Sequence, residues 1–317
     1  MQVSIGLDVG GTKIAGGVVD EAGTILDRVR VPTPTDVPGL VRGIGDVAEE
    51  LLRRVGRPAG EVPVGVAAAG YIDATRSIVR FAPNIAWREY PLGPELTARL
   101  GVPVRIENDA NAATWAEFRF GAGRDVEHMI LFTIGTGVGG GLVESSKLVR
   151  GGFGMAAEFG HFRIVRGGRL CGCGLHGCLE MYASGRALVR SAKQLVIDDP
   201  VRGADLLKRA GGDAEALQGR MVTEAALAGD EASIALLAEL GDWLGEGVAQ
   251  MCAVFDPVMV VVGGGVAEAG ELLIGPARRT YLENLTGAAN RPHAEVVTAR
   301  MGNDAGIIGA ADLATIR

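Results

Sequence analysis

Three of the four cysteines in the chain lie within the segment CGCGLHGCLE (171–180), which ends on the carboxylate Glu180. Thiolates in a tight, glycine-rich turn are the ligands that Zn²⁺ prefers. No targeting segment is visible, so reduced thiols are the default and a disulfide scaffold is disfavoured. The C-x-C-x₄-C spacing therefore predicts a structural zinc bound by Cys171, Cys173 and Cys178.

A closed zinc site needs a fourth protein ligand. The candidates are His161, His176 and Cys252. Spacing alone favours His176, which lies inside the loop, whereas Cys252 lies far along the chain in a predicted helix. His161 belongs to the segment EFGH (158–161), where a glycine allows Glu158 and the histidine to point into one pocket. The residues by themselves leave this choice open.

Three glycine-rich segments follow predicted strands: DVGGTK (8–13), GTGVGG (135–140) and GGG (263–265). Backbone N–H groups in such turns can approach phosphate oxygens because no Cβ is in the way. The first segment adds Asp8 and Thr12, which favours a phosphate and Mg²⁺ site. It is not a P-loop, in which Gly-Lys precedes Ser or Thr and a helix follows.

The segment 135–140 also matches the dinucleotide pattern G-x-G-x-x-G. In a Rossmann fold this pattern opens a helix. The residues that follow, GGLVESSKLV, have instead the pattern of a strand and a turn. A nicotinamide-dependent reaction is therefore the weaker alternative, and a loop that contacts a nucleotide phosphate is favoured.

The segment ENDANAA (107–113) places Asn108 and Asp109 between a predicted strand and a predicted helix. Asp109 could cap the helix, or it could accept the proton of a sugar hydroxyl during phosphoryl transfer. The two interpretations are equally supported by the local sequence. A further loop asparagine, Asn84, lies in PNIAW (83–87).

The overall charge excludes some classes of partner. A formal net charge of −7 argues against general binding to nucleic acid or to anionic membranes. The longest apolar runs, such as residues 258–262, have the length of a strand and are far too short to span a membrane. We therefore expect a cytoplasmic protein.

Strands and helices alternate along the chain and must position these residues. The predicted strands are residues 3–8, 13–20, 24–31, 62–69, 102–106, 129–134, 142–144, 258–262 and 295–298, and the predicted helices are 38–55, 94–100, 111–118, 271–285 and 305–315, with 181–253 mostly helical. The residues between the fourth strand and residue 87 are predicted to form a loop. Two rounds open with a strand, a glycine turn containing Gly-Thr, and a second strand, which predicts an α/β fold with duplicated halves.

In this order, DVGGTK, ENDANAA, IGTGVGGG, EFGH and CGCGLHGCLE resemble the ROK family of sugar kinases and repressors, from about Ile5 to the last helix. The glycine loops are shared with the wider actin/hexokinase-like superfamily, whereas the joined EFGH and cysteine segments are specific. Within the family the chain is most similar to the bacterial ATP-dependent glucokinases. The resemblance implies two actin-like (ribonuclease H-like) α/β lobes with a cleft between them. The expected lobes are residues 1–109 with 301–317, and residues 110–300 with the zinc site.

The resemblance also implies roles for individual residues. Asp109 matches the catalytic base. Sugar contacts are implied for Asn84, Asn108, Asp109, Glu158, His161 and Glu180. Nucleotide and Mg²⁺ contacts are implied for Asp8, Gly10, Gly11, Thr12, Lys13, Gly135, Thr136, Gly137, Gly139, Gly263, Gly264 and Gly265. The implied zinc ligands are His161, Cys171, Cys173 and Cys178.

The expected function is ATP-dependent phosphorylation of the 6-hydroxyl of glucose, in a homodimer or homotetramer with Mg²⁺ and a structural Zn²⁺. One alternative is a kinase for mannose, fructose or an N-acylhexosamine, because carboxylates such as Glu158 and Glu180 indicate a polyol but not its stereochemistry. The other is a sugar-sensing regulator. The regulator is disfavoured because the strand before the first glycine loop begins at Val3, which leaves no room for a DNA-binding domain ahead of it.

Overall fold

The computed structural model describes residues 2–82 and 86–316, so the predicted sugar contact Asn84 lies outside the described residues. The strands are β1 (Val3–Val9), β2 (Lys13–Asp20), β3 (Ile25–Pro32), β4 (Val64–Ala68), β5 (Tyr71–Ile72), β6 (Val79–Phe81), β7 (Arg88–Tyr90), β8 (Val104–Asn108), β9 (Met129–Ile134), β10 (Val138–Glu144), β11 (Lys147–Leu148), β12 (Met259–Gly263) and β13 (Glu295–Thr298). The helices are α1 (Val37–Val55), α2 (Leu92–Leu100), α3 (Asp109–Phe120), α4 (Glu180–Ala183), α5 (Gly185–Asp198), α6 (Ala204–Arg209), α7 (Gly219–Leu227), α8 (Glu231–Phe255), α9 (Glu271–Asn284) and α10 (Ala305–Thr315).

Two five-stranded sheets are built by the same chain path. The first has the order β3-β2-β1-β4-β8 and the second the order β11-β10-β9-β12-β13. In the first, β2 pairs antiparallel with β1 and β3, whereas β4 and β8 are added in parallel. In the second, β10 and β11 are antiparallel, whereas β12 and β13 are added in parallel to β9. This equivalence confirms the predicted α/β fold with duplicated halves.

The prediction of a loop that runs to residue 87 is wrong in part. This segment contains β5 and β6, which pair antiparallel, and β7 follows directly after residue 87 to complete a small sheet in the order β5-β6-β7. These strands have only two or three residues each. Such short segments carry too little alternation of polar and apolar residues to be recognised from the sequence.

The described residues form two compact units. The first contains Met1–Asp125, Gly141–Ala157 and Met301–Arg317, and the second contains Val126–Gly140 and Glu158–Arg300. The chain thus returns to the first unit at residue 301, and the first unit also holds α3 and the segment 141–157. The expected division into a lobe of 1–109 with 301–317 and a lobe of 110–300 stays a prediction.

The first sheet is buried between α1 on one side and α10 on the other. Apolar side chains of β1, β4 and β8 pack with α1 in one core. On the opposite face α10 lies directly on the strands, since a Cβ at Gly6 would be 1.9 Å from the carbonyl oxygen of Ile307 and one at Gly65 would be 2.0 Å from that of Ala310. Glycine is required here because the helix backbone touches the sheet backbone.

Parallel strands place the predicted site residues at shared edges. In the first sheet, the carboxyl ends of β1 and β8 carry Asp8 and Asp109. In the second sheet, β9 and β12 end at the glycine segments 135–137 and 263–265. Ligands of α/β proteins bind at the carboxyl ends of such strands. Across residues 2–82 and 86–316, no helix combines the length and the apolar character that crossing a membrane requires.

Candidate active site and metal centre

The start of α3 shows which of its polar residues caps the helix. The side chain of Asn108 accepts a hydrogen bond from the N–H of Asn111 at 3.0 Å and donates one to the carbonyl oxygen of Gly70, also at 3.0 Å. Asn108 is therefore the N-cap, and the sequence had left this role open for Asp109. Asp109 accepts the N–H of Ala110 through Oδ1 at 2.9 Å. Its carboxylate is not needed to begin the helix.

The negative charge of Asp109 acts on the carboxyl group of Asp8. Burial, followed by the negative charge of Asp109, raises the pKa of Asp8 to about 6, while Lys13 opposes the shift. Desolvation by the surrounding protein raises the pKa of Asp109, and the hydrogen bond from the N–H of Ala110 opposes this shift, although Asp109 is an exposed residue. Two carboxylates that resist ionisation together form a site that favours a cation or a proton.

A buried ion network lies directly before these residues and was missed by the sequence reasoning. Glu107 is only 2% exposed, and its Oε2 lies 2.7 Å from both Nε and Nη2 of Arg150. Asn111 donates to its Oε1 at 3.1 Å, and Nε of Arg76 lies 3.4 Å from Oε2. The available signal was a glutamate directly after the predicted strand 102–106. The network fixes the strand end that carries Asp109.

The glycine loop of the first unit forms a tight hairpin between β1 and β2. The N–H of Gly10 donates to the carbonyl oxygen of Lys13 at 3.0 Å. Thr33 follows the end of β3 and holds the loop through two hydrogen bonds. Its hydroxyl donates to the carbonyl oxygen of Gly10 at 2.7 Å, and its N–H donates to the carbonyl oxygen of Thr12 at 3.2 Å. Gly11 and Thr12 are exposed, so their backbone is accessible to a ligand.

Four predicted metal ligands meet in the second unit. The ligand atoms of His161, Cys171, Cys173 and Cys178 all lie within 4.8 Å of one another. The sulfur atoms of Cys173 and Cys178 are 3.6 Å apart, as are the sulfur of Cys171 and Nδ1 of His161. Tetrahedral Zn²⁺ with Zn–S bonds of about 2.3 Å separates its sulfur ligands by about 3.8 Å. The donor set and its spacing thus fit a structural zinc.

The cluster is held by a short hairpin. Cys171 and Leu175 close the turn through an N–H to carbonyl bond of 2.8 Å, and residues Leu170 and His176 pair antiparallel. Burial, followed by the neighbouring thiols, raises the pKa of Cys178 to about 12. A cation is therefore needed to hold this sulfur as a thiolate at neutral pH.

The other two candidates for the fourth ligand lie elsewhere. His176 is exposed, and its Nδ1 lies 3.0 Å from the carbonyl oxygen of Gly168. Cys252 is buried in α8. Spacing alone favoured His176 because it is nearest in the chain, whereas the folded segment brings His161 to the sulfur atoms.

The cluster adjoins both predicted sugar carboxylates of the second unit. Glu158 immediately precedes the turn Phe159–His161, and its carbonyl oxygen accepts the N–H of His161 at 3.0 Å. Oε1 of Glu180 lies 3.9 Å from the sulfur of Cys171, and its Oε2 accepts the N–H of Val138 at 3.1 Å. The cysteine cluster thus connects the EFGH segment to the start of α4.

The second and third glycine segments border one cavity in the second unit. Its volume is about 720 Å³. Its lining includes Gly135, Thr136, Arg186, Arg220 and Gly265. A cavity of this size suits a nucleotide. Among the predicted nucleotide contacts, Gly135, Thr136 and Gly265 line it directly.

Comparisons with known proteins show the family of the chain. Residues 4–317 match the model of the ROK family. A glucokinase of Streptomyces coelicolor is 48% identical over 314 residues, covering 99% of this chain and 98% of the relative, and a glucokinase of Thermotoga maritima is 35% identical, covering 98% and 96%. The crystal structure of a ROK family glucokinase from Streptomyces griseus in complex with glucose and AMPPNP is 48% identical, with a TM-score of 0.89 over 98% of each chain. The chain belongs to the ROK family.

Proposed function

We propose that the protein is a glucokinase that transfers the γ-phosphoryl group of ATP to the 6-hydroxyl of glucose. The observation that carries this proposal is the 48% identity to a glucokinase over 99% of the chain. The similar Streptomyces griseus structure, in complex with glucose and AMPPNP, supports the same two substrates. The charged edge at Asp8 and Asp109 supplies groups of the kind that phosphoryl transfer uses.

Asp109 acts as the general base in this proposal. The sugar oxygen forms a bond to the γ-phosphorus as the bond from that phosphorus to the bridging oxygen breaks, and ADP leaves with the electron pair. Asp109 accepts the hydroxyl proton. Its raised pKa, caused by desolvation, makes it a stronger base than an ordinary aspartate. Bound Mg²⁺ would neutralise charge on the phosphates, and Asp8 would hold it through water.

Zinc has a structural part in this proposal. His161 and the three cysteines complete a tetrahedral donor set, which leaves no position open for catalysis. Nδ1 of His161 faces the sulfur of Cys171, so Nε2 remains for a sugar hydroxyl. Glu158 and Glu180 accept further hydroxyls, and Asn84 and Asn108 are further expected sugar contacts. A dimer or tetramer remains the expected assembly, which light scattering would measure.

The test is ADP release, measured with a coupled assay across glucose, mannose, fructose and N-acetylated hexosamines. We expect glucose to have the highest kcat/KM and ³¹P NMR to identify the 6-phosphate. A preference for another hexose would support the alternative kinases. No ADP release with any sugar, from a protein that binds its expected zinc, would contradict the kinase function altogether.

A further inference from the structure

Arg186, the second residue of α5, has no role in the function proposed so far, yet it contacts both substrate segments of the second unit. Its Nε–H donates to the carbonyl oxygen of Thr136 at 3.1 Å. Its Nη2 lies 3.5 Å from Oε1 of Glu180. One guanidinium thus bridges the glycine loop of the nucleotide site and a carboxylate of the sugar site.

The same two segments are joined by backbone contacts. The N–H of Gly185 donates to the carbonyl oxygen of Gly135 at 2.8 Å, and the N–H of Val138 donates to Oε2 of Glu180 at 3.1 Å. Gly137 lies so close beneath this carboxylate that a Cβ there would be 2.1 Å from Oε2. A displacement of the loop therefore displaces the carboxylate of Glu180 as well.

The guanidinium of Arg186 has N–H donors that its contacts to Thr136 and Glu180 do not use, and these donors are accessible to a ligand. A guanidinium has five N–H donors, and the contacts to Thr136 and Glu180 use two of them. The side chain is 62% exposed and lines the cavity of about 720 Å³ together with Gly265. Guanidinium groups bind phosphate oxygens through paired hydrogen bonds. The remaining donors are thus available to the polyphosphate of a nucleotide in that cavity.

A purely structural role explains this placement less well. An ion pair this exposed contributes little to stability, because solvent screens it and two side chains must be ordered. The helix α5 does not need Arg186 to begin, since Ser184 caps it by accepting the N–H of Ala187. The geometry instead favours a role that appears when ligands are bound.

We propose that Arg186 is a positioning residue that couples nucleotide binding to sugar binding. It binds the phosphate chain of the nucleotide while holding Thr136 and Glu180, so an occupied nucleotide site fixes the carboxylate in the orientation that accepts sugar hydroxyls. Coupling of this kind is reciprocal, so glucose tightens nucleotide binding by the same factor. The inference rests on the proposed kinase function and on Glu180 as a sugar contact.

The test is calorimetry of glucose binding with and without AMPPNP and Mg²⁺. In the unaltered protein we expect the nucleotide to tighten glucose binding by roughly 5- to 100-fold. Arg186→Ala should reduce this factor to below about twofold, while the Kd of glucose alone changes by less than about threefold, because Glu180 keeps the N–H of Val138. Arg186→Lys keeps the charge but cannot contact both partners as a planar fork, so its coupling should be intermediate.

The matched control is Arg220→Ala, which removes a cation that lines the same cavity but, within the described ranges, forms no ion pair with Glu180. It should keep the coupling whatever its effect on nucleotide affinity. Full coupling in Arg186→Ala, or an active unaltered protein in which glucose and nucleotide bind independently, would overturn the proposal. Absence of glucose binding and of ADP release in the unaltered protein would instead contradict the proposed function.

Discussion

At the scale of single residues, the arrangement of the two aspartates is the most informative feature. Asp8 and Asp109 are 101 positions apart in the numbering of the chain, yet both lie at the carboxyl ends of parallel strands of one sheet. Asn108 takes the capping role, so the carboxylate of Asp109 is available for chemistry. The negative charge of Asp109 raises the pKa of Asp8, which links the protonation of the proposed metal-side acid to the presence of the proposed base.

Asp109→Asn should therefore change both turnover and titration. We expect kcat to fall by about 10²- to 10⁴-fold, because the general base is lost while the shape of the side chain is kept. Glucose and ATP should still bind. The pKa of Asp8 should fall below its value of about 6, since the variant removes a negative charge that raises it. Carboxyl ¹³C NMR of Asp8 measures this shift directly.

The pH dependence follows from the same shift. Between the ordinary aspartate value of 3.8 and about 6, the folded protein binds a proton at Asp8 that the unfolded chain has released. This group therefore makes the folded state less stable as pH rises through that window. The window should narrow in Asp109→Asn. An unchanged titration of Asp8 in the variant would show that the two carboxylates do not interact.

At the scale of elements, the cysteine hairpin and the turn Phe159–His161 form one unit of structure around the proposed metal. Neither segment is long enough to bury much apolar surface, so its geometry depends on cross-links. The metal would join the segment that carries Glu158 to the one that carries Glu180. In the proposed function, zinc would position the sugar contacts and take no part in bond making.

Cys173→Ser tests this arrangement, because Cys173 is exposed and serine keeps its shape. We expect loss of zinc and a 10- to 100-fold rise, as an order of magnitude, in the KM for glucose. The KM for ATP should change much less. Elemental analysis should give one zinc per unaltered chain.

His176→Ala is the matched control, since it changes a histidine in the same hairpin that lies outside the cluster. It should keep zinc, whereas His161→Ala should lose it. The reverse result for the two histidines would show that the hairpin binds its metal through His176. An active unaltered protein without zinc would contradict the proposed structural role of the metal.

At the scale of the whole molecule, the C-terminal helix α10 packs on the sheet that contains the N-terminal strand β1. The chain returns to the first unit at Met301, and α10 then lies on β1 and β4. Its first turn lies close to Asp8, since a Cβ at Gly306 would be 2.9 Å from the carboxyl carbon. The start of α10 thus packs beside Asp8, where we propose the phosphate and Mg²⁺ site.

Gly65→Ala should weaken this closure. The new Cβ would be 2.0 Å from the carbonyl oxygen of Ala310, so the helix must move away from the sheet. We expect the free energy of unfolding to fall by about 1–3 kcal/mol. Urea unfolding measures this change.

Gly60→Ala is the control, because no atom lies within 4 Å of its added Cβ. It should change the unfolding free energy by no more than about 0.5 kcal/mol. Equal stability of the two variants would contradict the close contact between α10 and the sheet at Gly65.

Local patterns in the sequence determined the elements and the motifs of this protein. Alternating apolar runs and glycine turns predicted the long strands within a few residues, and the cysteine spacing predicted three soft ligands. Periodicity and spacing report what neighbours in the chain do together, so they could not choose His161 over His176 or reveal the bond between Glu107 and Arg150. Only the tertiary structure places His161 beside the cysteine sulfur atoms, pairs Glu107 with Arg150 and puts Arg186 between two loops, because each of these contacts depends on how distant segments pack.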